Sequence, residues 1–220
     1  MKNKLVWSFC LLALALCVSM PAMADTTLYS NLGSGSSVYN CCSGWTVSGS
    51  GYLGTSFTSA NEFQVAASGS VSEIDIAVGY VTGVNSFYVA IDADNAGLPG
   101  TQLAKFSNLS SSTTFGNCCG LVSITGISGL NLSTGTNYWM VLGPTDTTAT
   151  TWEAFNFSNS ATGTDEYSTD GGLTWNSNGV QPQGAFQIMG GGQVPEPSSL
   201  LLLGTGLVGV FGAFRRKMNL

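Results

Sequence analysis

Between residues 25 and 192 the apolar residues do not recur with the 3.6-residue period of a helix; they alternate with polar ones. That alternation restricts the region to strands with one buried face. It predicts strands over Val71–Tyr80, Ser86–Asp92, Leu121–Ile127, Asn137–Leu142 and Thr151–Phe157. Gln102–Phe106 reads as a short strand, and Ala185–Met189 as the strand that closes the sheet. Trp45–Val47, Phe57–Ser59 and Phe63–Val65 read as edge segments. Turn residues fall between them, at Asp94–Gly100, Asn131–Gly135 and Asp170–Gly172. The fold class expected is all-β: a single β-sandwich with jelly-roll or Greek-key connections.

The two ends are of a different kind. Lys2 and Lys4 precede an apolar run from Leu5 to Val18, and Ala22-Met23-Ala24 supplies small residues after it. This order is that of a secretory signal peptide over 1–24, cleaved before Asp25 by signal peptidase. Pro21 and the short apolar run argue against a retained membrane helix. Leu16 before Cys17 argues against lipoprotein processing. At the other end, Pro195-Glu196-Pro197 forms a stiff extended hinge over 193–197, since each proline fixes its own backbone and restricts its predecessor. Leu200 to Phe214 is uncharged and almost wholly apolar, and the transmembrane helix expected over 198–214 is near the lower length limit for a span. Arg215, Arg216 and Lys217 follow in a basic tail over 215–220, and such a cluster stays on the cytoplasmic side.

The stretch over 25–192 is long enough for one domain with its own core. Lys105 is its only basic residue, against eleven acidic ones. That sign disfavours nucleic acid and anionic lipid as partners. The chain has no histidine, which excludes histidine acid–base catalysis and histidine metal sites. Ser, Thr, Gly and Asn supply the polar surface, a composition suited to an extracellular structural or adhesive module.

Four cysteines remain after export, in two adjacent pairs, Cys41-Cys42 and Cys118-Cys119. An oxidising compartment favours bridges, and four cysteines allow three pairings. Two bridges crossed between the pairs are the preferred arrangement. Free thiols or a small vicinal ring are the other forms. A four-thiolate zinc site fits poorly, because its ligands are normally separated by two to four residues.

Asp92 and Asp94 begin a stretch that resembles a calcium loop, but Leu103 stands where a bidentate glutamate belongs. A hairpin turn with self-bonding Asp and Asn side chains is the competing reading, and a non-standard calcium site the weaker one. No cofactor is expected otherwise. Glu62, Glu73, Asp75, Glu153 and Glu166 offer carboxylates for a glycosidase-type pair, with nothing in their neighbours to mark one. Trp175, in a loop-like stretch, and Trp139, between Tyr138 and Met140, are the candidates for stacking against sugar rings. Packing in the core is the competing reading for a tryptophan on a strand.

The C-terminal order of Pro195-Glu196-Pro197, an apolar run from Leu200 to Phe214 and Arg215-Arg216-Lys217 resembles the PEP-CTERM sorting signal of Gram-negative bacteria. The resemblance implies export through the inner membrane, transient anchoring and recognition by an exosortase. It also implies association with exopolysaccharide or biofilm at the cell surface. Ile74–Tyr80, Asp94–Gly100, Gly116–Cys119, Gly135–Trp139 and Ser168–Gly172 are similar to segments of choice-of-anchor type β-rich surface domains. Such domains have no assigned catalytic residues. The expected function is therefore a non-enzymatic surface or matrix protein, with a carbohydrate-binding module and a glycosidase as the alternatives.

Overall fold

The computed structural model describes residues 25–191. The signal peptide expected over 1–24, the hinge over 193–197, the helix over 198–214 and the basic tail over 215–220 lie outside the described residues. Among the described residues no helix is long and apolar enough to cross a membrane.

Thirteen strands and one short helix occupy the described region. In chain order they are β1 (Asp25–Ser30), β2 (Asn40–Ser48), α1 (Ser50–Leu53), β3 (Thr58–Gln64), β4 (Gly69–Ile76), β5 (Val78–Thr82), β6 (Phe87–Asp94) and β7 (Pro99–Leu109). Then come β8 (Val122–Thr125), β9 (Asn131–Leu132), β10 (Asn137–Pro144), β11 (Trp152–Ser168), β12 (Asn176–Gly184) and β13 (Phe186–Gly191). The smaller sheet runs β1-β13-β4-β8, with β9 on β4. The larger runs β12-β11-β3-β10-β6-β7, with β2 and β5 on β11. Every ladder between these strands is antiparallel, for example Asn137 to Leu142 against Gln64 to Ser59.

Both sheets feed one core, which makes the fold a β-sandwich. Leu28, Val71, Ile74, Ile76, Ile124, Phe186 and Ile188 come from the smaller sheet. Val47, Phe63, Phe87, Val89, Ile91, Met140, Leu142 and Phe155 come from the larger. The alternation seen in the sequence is what delivers them: Phe87, Val89 and Ile91 face inward while Tyr88 and Ala90 face out. Tyr29, Phe63 and Phe186 close one end of the core, with ring centroids 4.7–5.4 Å apart.

Several expected boundaries differ. Val71–Tyr80 is not one strand. It breaks at Ala77, leaving β4 in the smaller sheet and β5 in the larger. A bulge at Ser72 also shifts the inward parity, so Val71 and Ile74 are both buried. β12 and β13 make the same change of sheet around Ala185. Phe57–Ser59 and Phe63–Val65, expected as two edges, instead belong largely to one continuous strand, β3. It lies inside the larger sheet between β11 and β10. Between the two expected segments, and at Ser59, the polar residues are buried, because Asp165 accepts hydrogen bonds from both Ser59 and Asn61. The strand expected at Thr151–Phe157 continues to Ser168, through polar residues whose partners lie far away in sequence.

Candidate functional site

The outward face of the larger sheet carries a second cluster, formed by Ala60, Tyr88, Ala90, Trp139 and Val141, with Trp175 packed against it. Trp139 sits at its centre, paired across the ladders with Glu62 on one side and Asp92 on the other. It is fully buried, which overturns its candidacy as a sugar contact. Its indole N–H donates to Asp94 Oδ1 at 3.0 Å, so the polar edge of the ring is engaged within the protein.

Asp94 also accepts from the Gly97 amide at 3.1 Å, and Asn95 and Leu98 close the turn by backbone hydrogen bonds. Ala96 and Gly97 have φ of 55° and 85°, the left-handed pair that a two-residue hairpin requires. This is the turn reading of the sequence, with Asp94 committed to the turn and to Trp139. Asp92 lies one row further in. Burial lifts its carboxyl to about 6, while nearby Lys105 pulls it back down. Its Oδ1 has no protein partner. Lys105 Nζ stands 3.7 Å above the Tyr88 ring, a cation–π contact on the same face. Tyr88 lies over Gly143, where any Cβ would come within 2.5 Å of the ring. Among the described residues no three His, Cys, Asp or Glu side chains gather to hold a metal ion.

Trp175 is only half-buried and follows a tightly held loop. Asp170 accepts from the amides of Leu173 and Thr174 and from the Thr174 hydroxyl, at 2.6–3.0 Å. Those bonds hold its carboxyl down to about 2. Ser168 Oγ accepts from the Asp170 and Gly172 amides. The loop thereby projects Leu173, 84% exposed, beside Trp175. Of the two tryptophans expected to meet sugar, the structure leaves Trp175 accessible.

A polar groove of about 550 Å³ opens beside this face, lined by Tyr29, Glu62, Gln64, Asn137, Thr164 and Gln183 among others. Glu62 accepts from the Asn137 amide through one oxygen and from the Thr164 hydroxyl through the other, the latter at 2.7 Å. Gln183 donates to the Glu62 carbonyl at 2.5 Å and accepts from the Tyr29 hydroxyl at 3.2 Å. Amides, hydroxyls and one carboxylate around an aromatic ring match a neutral, polyhydroxylated ligand. Sequence reasoning missed this groove, since its residues run from 29 to 183 and are joined only by strand pairing.

The interior holds further carboxylates. Asp165 accepts from Asn61 Nδ2 at 2.6 Å and from Asn178 Nδ2 at 2.5 Å, and the Gly184 amide donates to Asn61 Oδ1 at 2.7 Å. Burial still raises Asp165 to about 7, against the lowering effect of those amides. Glu153 is fully buried with neither oxygen bonded, and burial raises it to about 8, so it is protonated at neutral pH. Its neighbours across the ladders are Val47 and Tyr80.

The cysteines meet at one end of the sandwich. The structure bridges Cys118 to Cys119 and leaves Cys41 and Cys42 unbridged, in place of the two crossed bridges preferred from the sequence. The spacing itself allows both forms, because each pair is adjacent in sequence and closure within a pair competes with closure between β2 and the segment before β8. Cys41 and Cys42 hold their sulfurs 3.3 Å apart.

Pro195, Glu196, Pro197, Arg215, Arg216 and Lys217 lie outside the described residues. No curated protein and no solved structure matches the chain. Residues 193–217 match the family model of the PEP-CTERM protein-sorting motif, and the chain therefore carries a PEP-CTERM sorting motif near its C-terminus.

Proposed function

We propose that this is a non-enzymatic, exported cell-surface or extracellular-matrix protein. It leaves a Gram-negative cell through the inner membrane by way of the secretion machinery and signal peptidase. An exosortase then recognises its tail, and the β-sandwich is displayed among extracellular polysaccharide. The observation that carries this reading is the sorting motif over residues 193–217. The charge balance of the domain and its lack of histidine support it. So does the commitment of Asp94 and Asp165 to internal hydrogen bonds. The test is fractionation of a host that encodes an exosortase, expressing the full chain or a chain lacking residues 193–217. The full chain reaches the surface or medium, and the truncated chain does not share that distribution. Identical distributions would overturn the reading.

A second reading, carbohydrate binding, is favoured by the groove. Its lining amides already bond oxygen groups of the kind a sugar offers: Asn137 donates to the Glu62 carboxylate, and Gln183 accepts from the Tyr29 hydroxyl. Tyr29 offers an aromatic ring in the groove wall. Retardation in a gel containing host exopolysaccharide, lost in Asn137→Ala with Gln183→Ala, supports this reading. Equal migration with and without polysaccharide rejects it.

A further inference from the structure

The two cysteine pairs lie far apart in sequence, yet one set of contacts joins the segments that carry them. The Gly116 amide donates to the Cys41 carbonyl at 2.9 Å, and Cys42 Sγ lies 3.9 Å from the Gly116 carbonyl. On the other side, Cys118 Sγ and Cys119 Sγ lie 4.0 and 3.6 Å from the Ser36 carbonyl. The Tyr39 hydroxyl donates to the Gly120 carbonyl at 3.0 Å. Cys41 and Cys119 pack against the same small cluster of Tyr39, Ala77 and Ala185. A dithiol on β2, Cys41 and Cys42, and a disulfide on the segment before β8, Cys118–Cys119, thus meet against one small cluster through Cys41 and Cys119. Cys42 is exposed, so thiol chemistry there is open to solvent.

We propose that these four residues form a thiol–disulfide exchange site in which the bridge moves from within the segment before β8 to between that segment and β2. The Cys41 thiol loses its proton, and its sulfur attacks Cys119 Sγ. A Cys41–Cys119 bond forms as the Cys118–Cys119 bond breaks. The electron pair leaves on Cys118, which takes up a proton. Two thiols and one disulfide exist before and after, so no external oxidant or reductant is needed. The product ties the start of β2 to the segment before β8, a constraint that the vicinal bridge does not provide.

The sequence supplies a direct assay. Lys105 is the only tryptic site between the two pairs. Trypsin therefore yields separate cysteine peptides from the vicinal form and one linked peptide from the exchanged form. The full chain is incubated without oxygen at mildly alkaline pH, quenched with acid, alkylated and digested without reduction. The expected result is growth of the linked peptide while the number of alkylated thiols among Cys41, Cys42, Cys118 and Cys119 stays at two. Separate peptides at all times overturn the proposal. So does linkage accompanied by loss of both thiols, which is oxidation rather than exchange. In Cys41→Ser the wild-type linkage of Cys41 to Cys119 is absent; an unchanged Cys119 linkage pattern in that variant assigns the attack elsewhere and overturns the stated step. The wild-type time course stands as a test even where a variant folds poorly.

Discussion

The Ala77 amide donates to the Ala185 carbonyl at 2.9 Å, at the point where two separate strand pairs each pass from one sheet to the other. Asn156 completes the join, donating its amide to Ala77 and accepting from the Ala185 amide. Both alanines are fully buried. Their small side chains let the two crossing strands and β11 approach one another.

Enlarging either alanine therefore overfills the crossing. Ala77→Leu or Ala185→Leu is expected to cost about 1–3 kcal/mol, as inserted methylenes do in a packed interior. Urea unfolding at constant m-value measures it. An unchanged midpoint for both variants would contradict the packing described.

Three buried carboxyls dictate the pH dependence of stability. Glu153, Asp165 and Asp92 have folded-state values of about 8, 7 and 6, raised by burial. The unfolded chain releases those protons at ordinary carboxylate pH, so the folded state holds more protons across the interval between. Stability is then greatest on the acid side of that interval and falls as pH rises toward 8. Each titrating group contributes at most about 1.4 kcal/mol per pH unit. Between pH 7 and 8 Glu153 dominates. Glu153→Gln is expected to flatten that part of the curve, as read from thermal midpoints across pH. A slope of the same size in the variant would remove Glu153 as its source.

Much of the sandwich is legible in the sequence where strands alternate, as at Phe87–Ile91 and Tyr138–Leu142. It is illegible where polar residues are buried against one another. Nothing local marks Ser59, Asn61 and Asp165 as interior; β3 and β11 must pair before they satisfy one another. The alternation marks no strand over 176–184, yet β12 forms there and accommodates Pro182 at the sheet edge, where its carbonyl accepts from the Trp45 indole. Trp139 reads as either core or contact, and only the ladder positions of its neighbours decide that it is core. The groove leaves no local signature, because strand pairing alone assembles Tyr29, Glu62, Asn137 and Gln183.

The network around Asp165 gives a third prediction. Asp165→Ala leaves the buried amide of Asn61 without its acceptor, and removes the partner of Asn178. A loss of about 1–3 kcal/mol per stranded group is expected. Asp165→Asn keeps an oxygen acceptor and is expected to lose less. Chemical denaturation of the two variants side by side measures the order, and a reversed order would refute the acceptor role.

The loop before Trp175 gives a fourth. Asp170→Ala removes the acceptor shared by Leu173, Thr174 and their neighbours. Faster proteolysis at this loop and a red-shifted tryptophan emission are expected, with the sandwich otherwise intact. The wild-type loop should loosen in the same way only in strong acid, as pH falls toward the Asp170 value of about 2. A protease pattern identical to wild type would show that the loop does not depend on Asp170.

The ladder between β1 and β13 places Asp25 directly opposite Gly191. The chain thus enters and leaves the domain at a single corner, and β13 is bonded to β1 on one side and β4 on the other. A load applied beyond Gly191 falls first on that doubly bonded strand. It then passes through Ala185 into β12 and the larger sheet. Pulling at the C-terminal end therefore sets both sheets in tension together, through a strand that no single ladder holds alone.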